Sequence, residues 1–186
     1  MDPIEKQTII RAQKGEKDAF SNLYDKYLRK IYDFIYYKTH HTETAEDITS
    51  IVFMKAWKSI GTFKGEYFSA WLYCIARNAV IDHYRTSRAH SNIDDAWDLS
   101  NNEDVSADAD TKLKVQNIQE YIKKLSSTER DILIMRIWQD MPYKEIAEII
   151  NKSEGNCKVI FGRTIKKLKE QMPSAAFMAL VLNLYG

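Results

Sequence analysis

A chain of 186 residues, 45% of them hydrophobic, can build one domain or two small ones with proper cores. Only six glycines and three prolines, with apolar positions recurring at helical spacing and no alternating strand, exclude a sandwich or barrel and indicate an all-α chain. The net charge of +1 hides a strong division: residues 1–88 carry 14 Lys and Arg against 11 Asp and Glu, residues 89–111 carry none against seven, and residues 112–186 carry 13 against eight. Two basic blocks around an acidic connector point to a polyanionic partner.

The first expected helix, Pro3 to Lys14, uses Ile4, Ile9 and Ile10 as apolar contacts and stops near Gly15. A longer one, Lys17 to Lys38, carries the stripe Phe20, Leu23, Tyr24, Tyr27, Ile31, Phe34 and Ile35, a core face rich in aromatics. His40 and His41 are adjacent, whereas two ligands on one helix need i, i+3 or i+4 spacing, so they are loop residues rather than metal ligands. A third helix, Glu43 to Ser59, buries Ile48, Val52, Phe53, Ala56 and Trp57 and turns Glu46, Asp47, Ser50, Lys55 and Lys58 outward. Ile51 falls outside that stripe, which fits either deeper burial or a docking surface for another protein.

A short glycine-bearing loop from Phe63 then leads into a helix running to Arg85, with apolar residues at 68, 71, 72, 75, 76, 79 and 80. Its opposite face carries Ser69, Tyr73, Arg77, Asn78, Asp82 and Arg85. Cations, amides and an aromatic suit contact with a nucleic-acid strand, and they equally compose an ordinary solvated face. From Ser91 to Asp110 the composition turns acidic and polar, with Asp94, Asp95, Asp98, Glu103, Asp104, Asp108 and Asp110 and few apolar anchors, as in a tether.

A second helical unit starts near Thr111, where Leu113, Val115, Ile118, Tyr121, Ile122 and Leu125 form one helix. Ser126-Ser127-Thr128-Glu129 has the form of a capping box, opening a helix to about Trp138 through Ile132, Leu133, Met135 and Ile137. Pro142 starts a short helix, Lys144 to Ile150, with Ile146, Ala147 and Ile150 inward; Asn151-Lys152-Ser153 is a turn and Glu154 to Gln171 a basic helix. Two helices, a tight turn and a cationic second helix make a helix-turn-helix. With Cys157, Phe161, Thr164 and Leu168 inward, the last helix turns Lys158, Val159, Gly162, Arg163 and Lys166 toward base edges and phosphates. Beyond Pro173, a helix breaker, residues 175–186 contain no charged side chain. Ser174 can cap a helix there, which must fold back on one of the two domains, as added core or as an autoinhibitory cover.

Cys74 and Cys157 are isolated, so neither a disulfide framework nor a zinc ribbon is expected, and a reduced compartment fits. The N-terminus lacks a signal-peptide pattern and no apolar run approaches the ~20 residues that span a bilayer, so a soluble, cytoplasmic protein without membrane insertion is expected. No nucleophile, metal constellation or phosphate-binding glycine loop suggests an enzyme or a cofactor.

Taken in order, several segments carry a resemblance across residues 14–170: Gly15 to Phe20 with Leu23-Tyr24 and Tyr27; Ala45-Glu46-Asp47-Ile48; Phe53 to Trp57; Phe63-Lys64-Gly65 with Trp71-Leu72-Tyr73 and Ile75-Ala76-Arg77-Asn78; Asp82-His83-Tyr84-Arg85; Leu125; Glu129-Arg130; Tyr143 to Ile149; Ser153-Glu154-Gly155; and Lys158. The chain resembles the extracytoplasmic-function sigma factors, small two-domain promoter-recognition subunits of bacterial RNA polymerase. The resemblance implies a region 2 domain at 1–88, an acidic linker at 89–111, a region 4 domain at 112–172 and an apolar tail at 173–186. It implies core polymerase binding through Asp47, Ile48, Ile51 and Lys55, and recognition and melting of the −10 element through Lys64, Ser69, Trp71, Arg77, Asn78 and Arg85, with a flipped base in the loop. Lys158, Val159, Gly162, Arg163 and Lys166 would read the −35 element, and the linker would thread toward the polymerase active-site cleft and RNA exit path. Its partners would be promoter DNA, bacterial core RNA polymerase and an anti-sigma factor. Two departures stand out: Ser50-Ile51 where the family commonly has Gln-Glu, and Val159-Ile160 with Gly162 in place of polar, basic and aromatic residues. The competing reading is a one-component helix-turn-helix regulator that acts without being a polymerase subunit.

Overall fold

The computed structural model describes residues 2–90, 121–122 and 124–185, and every regular element among them is a helix. Two compact units divide after Asn102. The acidic connector lies outside the described residues, as do Leu113, Val115 and Ile118 of the helix expected from Thr111.

In the first unit, α1 (Pro3–Gln13) opens with proline in its first turn, capped by Asp2, whose carboxylate accepts the Ile4 amide at 3.3 Å. Gly15 ends the corner in the left-handed region at φ 88°. Of the three isoleucines expected to make apolar contacts only Ile9 is buried; Ile4 is 75% and Ile10 42% exposed. The reason is that α1 meets its neighbours along one narrow line, Ile9 and Ala12 at i, i+3. α2 (Lys17–Thr39) buries Ala19, Leu23, Tyr27, Ile31, Phe34 and Ile35. Tyr24, expected inside, lies at the margin and meets Phe53 edge-on at 4.7 Å. His40 terminates α2 in the left-handed region at φ 51°, and His41 caps α3 (Thr42–Ser59), its Nδ1 accepting the Thr44 amide at 3.2 Å. The histidine pair is therefore a helix-to-helix joint.

α3 buries Ala45, Ile48, Thr49, Val52, Phe53 and Ala56. Trp57, also expected inside, remains 36% exposed with its ring edge against Phe20 at 4.9 Å. A turn of 3-10 helix (Ile60–Thr62) and an irregular loop then lead to α4 (Phe68–His90).

The second unit is built around α5 (Ser127–Ile137), whose residues Arg130, Asp131, Ile132, Leu133, Ile134, Met135 and Ile137 are all buried. A helix enclosed this completely must satisfy its charges internally, and the Arg130 guanidinium donates to the carbonyls of Ile122 at 3.3 Å and Leu125 at 3.0 Å. α6 (Tyr143–Ile150) follows from Pro142 and buries Ile146, Ala147 and Ile149. Ile149 takes the inward place expected for Ile150, because i, i+3 from Ile146 continues the inner face while Ile150 sits at the edge beside left-handed Asn151. α7 (Glu154–Gln171) is capped by Ser153, which accepts the Asn156 amide at 3.2 Å.

After Pro173 the chain turns into α8 (Ser174–Tyr185). Ala176 and Leu180 enter one core with Ile122, Leu125, Leu133, Ile137, Leu168 and Met172. The apolar tail thus packs within its own unit. No helix among the described residues is long and apolar enough to cross a membrane. Leu180 is fully enclosed whereas Met178 on the same helix is 56% exposed. Leu180→Ala should therefore lower the stability of the second unit by about 2–4 kcal/mol, and Met178→Ala by less than about 0.5 kcal/mol. Denaturant unfolding of the two variants measures the contrast.

Candidate nucleic-acid interface

The loop between α3 and α4 is held from beneath by aromatic rings. Phe63 is buried; its ring centroid lies 5.5 Å from Phe68 and 5.3 Å from Trp71, Phe68 and Trp71 are 5.3 Å apart, and Tyr27 of α2 lies 5.6 Å from Phe68. Gln13 fixes the loop from the other side, its Nε2 donating to the carbonyls of Ile60 at 3.2 Å and Phe63 at 2.8 Å. A Cβ on Gly65 would stand 2.8 Å from the Phe63 ring, so this glycine is needed for close approach. Nothing in the local sequence marks Gln13, whose carbonyl partners lie 47 and 50 residues away.

α4 buries Phe68, Ala70, Leu72, Tyr73, Ala76, Ala79 and Val80. Tyr73, expected on the outer face, is 1% exposed and meets Phe34 edge-on at 5.1 Å, its hydroxyl donating to the Lys30 carbonyl at 3.4 Å. The buried stripe is wider than a strict reading of apolar residues, because a tyrosine can bury its ring and satisfy its hydroxyl on backbone. Trp71 and Ile75, expected in the core, are half-buried at its edge. Among the −10 candidates, Lys64, Asn78 and Arg85 are exposed, while Ser69, Trp71 and Arg77 are half-buried. Ser69 and Arg77 also contact other parts of the protein.

On α3, Asp47 and Lys55 are exposed and Ile51 is 40% exposed, but Ile48 is 2% exposed. Ile48 cannot meet a partner protein; it anchors the helix so that its outer face is presented. The apolar part of that face is larger than expected, since Met54 is 56% exposed beside Ile51. Lys55 reaches Asp82 of α4 at 3.6 Å, a solvent-exposed tie between the two helices worth less than about 1 kcal/mol.

In the second unit α7 buries Cys157, Thr164 and Leu168, with Phe161 half-buried. The five expected contact residues, Lys158, Val159, Gly162, Arg163 and Lys166, share one exposed face at i, i+1, i+4, i+5 and i+8. Val159 is 49% exposed, and the space where a Gly162 side chain would stand is open. Lys158 pairs with Glu154 at 2.6 Å, and Lys166 reaches Glu170 at 4.0 Å. Lys158 and Arg136 also lie 5.8 Å and 5.3 Å from the centre of the Tyr143 ring, which meets Phe161 edge-on at 5.9 Å. Burial pushes the Tyr143 phenol up in spite of these cations, so the ring stays neutral beside them. No group of three His, Cys, Asp or Glu among the described residues is placed to hold a metal ion.

Residues 23–90 match the family model for Sigma-70 region 2 and residues 115–168 that for Sigma-70, region 4. The chain is 34% identical to the ECF RNA polymerase sigma factor BldN of Streptomyces coelicolor, covering 91% of this chain and 66% of that protein. It is 30% identical to the ECF RNA polymerase sigma factor SigW of Bacillus subtilis over 92% of this chain and 98% of the relative. Among solved structures, CnrH in complex with the cytosolic domain of CnrY aligns with a TM-score of 0.70 at 17% identity, covering 89% of this chain and 95% of that one. RpoE of Bartonella quintana, in complex with the anti-sigma factor NepR, aligns at 0.64 and 23%, covering 81% and 94%.

Two consequences of this geometry are measurable. Gly65→Ala must displace the Phe63 ring, at a cost of about 1–3 kcal/mol, and should change the fluorescence of Trp71, whose ring Phe63 touches. The second concerns the box that opens α5, in which the Ser126 amide donates to Glu129 at 2.8 Å and the Glu129 amide to the Ser126 hydroxyl at 3.3 Å. Burial raises the Glu129 pKa, but the hydroxyl and amide of Ser126, with Lys167, outweigh it and hold the carboxyl below its ordinary value. The resulting stabilisation is full above the unfolded glutamate pKa and lost as pH falls through the depressed folded one. Ser126→Ala should cost about 1 kcal/mol at neutral pH. The stability advantage of the natural chain over Glu129→Gln should shrink as thermal unfolding is repeated from pH 7 down to pH 3 (roughly one unit below the unfolded value).

Proposed function

The chain belongs to the extracytoplasmic-function group of the sigma-70 family, and from that membership we propose how its two units divide the work of an RNA polymerase sigma factor. It directs core RNA polymerase to promoters and assists DNA melting, with promoter DNA and the core enzyme as partners. In our reading the loop at 63–67 and the outer face of α4 engage the opened −10 strand, with Lys64, Asn78 and Arg85 making contact and Trp71 forming the loop's edge. Aromatic and cationic contacts to unstacked bases offset the cost of opening by about 1–3 kcal/mol per base. The α6–α7 pair lies in the −35 major groove, where Val159 takes an apolar contact such as a thymine methyl and Arg163 with the lysines holds bases and phosphates. Asp47, Ile51 and Lys55 face the core enzyme.

One observation supports this reading above the rest: the five α7 residues form a continuous exposed face while the other side of the helix is locked into the core. The protein acts by binding, without catalysis, and works in the cytoplasm where the polymerase and its template are. An anti-sigma factor, the kind of protein with which the Bartonella quintana RpoE was crystallised, completes the partner set.

Run-off transcription with bacterial core polymerase on a promoter library tests the assignment, and dependence of every transcript on added chain is the expected result. Lys158→Ala should weaken −35 duplex binding and reduce the slope of log K against log salt by about one contact. Asn78→Ala combined with Arg85→Ala should spare duplex binding and lower the fraction of open complex reactive to permanganate. An unchanged salt slope, or unchanged opening, would remove the corresponding residues from the interface.

A further inference from the structure

Gln13, the last residue of α1, reaches out of its helix to the loop that precedes α4. Its half-buried amide nitrogen donates to two carbonyls there, Ile60 at 3.2 Å and Phe63 at 2.8 Å, one N–H for each. These carbonyls bracket the 3-10 turn: that of Ile60 also accepts the Phe63 amide at 3.0 Å, and at Phe63 the backbone becomes extended, with φ −64° and ψ 125°. Across the planar trans peptide that follows, the N–H of Lys64 points opposite to the Phe63 carbonyl, so pinning that carbonyl to α1 aims the Lys64 amide away from α1. The direction in which the exposed residues Lys64, Gly65 and Glu66 leave the turn is thus set from another helix.

α1 is itself held along its length. Near its start Glu5 accepts a hydrogen bond from the Tyr27 hydroxyl and pairs with Lys26 at 3.3 Å, and Tyr27 is the ring beside Phe68. Toward its end Ile9 and Ala12 are buried, and Arg11 reaches across the corner to Glu16 at 2.7 Å. A donor carried on so fixed a support restricts the loop before any ligand arrives, which is preorganisation. We propose that Gln13 is a positioning residue for promoter selectivity: by fixing the backbone from Ile60 to Lys64 it sets which base of the opened −10 strand the loop accepts. The proposal rests on reading the loop at 63–67 as the part that engages that strand, and it adds a residue of α1 that lies outside the loop.

The test is run-off transcription by the full-length chain with bacterial core polymerase on a library randomised through the −10 element, scored as base preference at each position. Gln13→Met keeps the reach and the helix and removes both donors; Ile9→Val loosens α1 without touching the loop; Gly65→Ala moves the loop directly through the Phe63 ring. Gln13→Met and Ile9→Val should each lower the midpoint of thermal unfolding by about 4–8 °C. The proposal expects Gln13→Met to flatten the preference at one −10 position by about fivefold or more, whereas Ile9→Val lowers the yield from every promoter alike and leaves the preference natural. With the preference flattened in Gly65→Ala, a natural preference in Gln13→Met, or an equal flattening in Ile9→Val, overturns the role of Gln13. If Gly65→Ala keeps the natural preference, or the natural chain has none at −10, it is the reading of the loop that fails, and the proposal with it.

Discussion

The outward-facing chemistry of the first unit depends on an interlock of aromatic rings between α2 and α4. Phe34 meets Tyr73 at 5.1 Å and Tyr27 meets Phe68 at 5.6 Å. A ring of this kind buries about 150–250 Å², so each contributes roughly 4–6 kcal/mol of gross burial free energy. A helix has only one rotational setting that keeps Phe68, Tyr73 and Val80 inside together, and that setting decides where Asn78 and Arg85 point. The loop inherits the same constraint, since Phe63 is seated on Phe68 and Trp71 and its carbonyl is held by Gln13. The loop and the outer face of α4 therefore rest on a packed core that need not reorganise when either is engaged.

In the second unit the constraint is polar as well as apolar. Burying Arg130 is tolerated because its donors close the carbonyl ends at Ile122 and Leu125, which fixes the entry to α5. α5 then backs α7, and α7 can turn its cations to solvent. The Lys158 to Glu154 pair is solvent-exposed at i, i+4 and is worth only about 0.3–0.5 kcal/mol. Such a pair steers the lysine without holding it against a phosphate, whose binding is driven further by release of counterions. Glu154 therefore orients Lys158 in the free protein without fixing it there.

Much of this was legible because helical spacing is a local property. The α2 stripe, the capping box at Ser126, the break between helices at His40 and His41, the helix-turn-helix and the shared exposure of 158, 159, 162, 163 and 166 all follow from residues within a few turns of one another. The misplacements have physical causes. Tyr73 was ambiguous because its ring favours burial and its hydroxyl does not, and only the Lys30 carbonyl resolves the conflict. Ile4 and Ile10 lie on a short helix at the margin, where hydrophobicity alone does not secure a neighbour. Ile48 carries the family pattern of a contact residue yet serves the core. The role of Gln13 depends on contacts between separate elements, which no single-helix periodicity contains.

The apolar tail shows how the same physics separates a structural role from a regulatory one. Met172, Ala176 and Leu180 recur every four residues and join Leu133, Ile137 and Leu168 in one core, while Met178 faces water. A cover that must leave to expose a binding face is economical only if what lies beneath can stand in water. Beneath α8 lie Leu133, Ile137 and Leu168, each 5% exposed or less and each drawn from α5 or α7. Removing α8 would open that apolar core to solvent at about 25 cal/mol for every Å² uncovered, and the first consequence would be a loosened α5–α7 pair. The exposed face of α7 that carries Lys158, Val159, Gly162, Arg163 and Lys166 lies on the side of that helix away from Leu168, so its exposure does not require the tail to move. The tail therefore packs as part of the core of the helix-turn-helix unit.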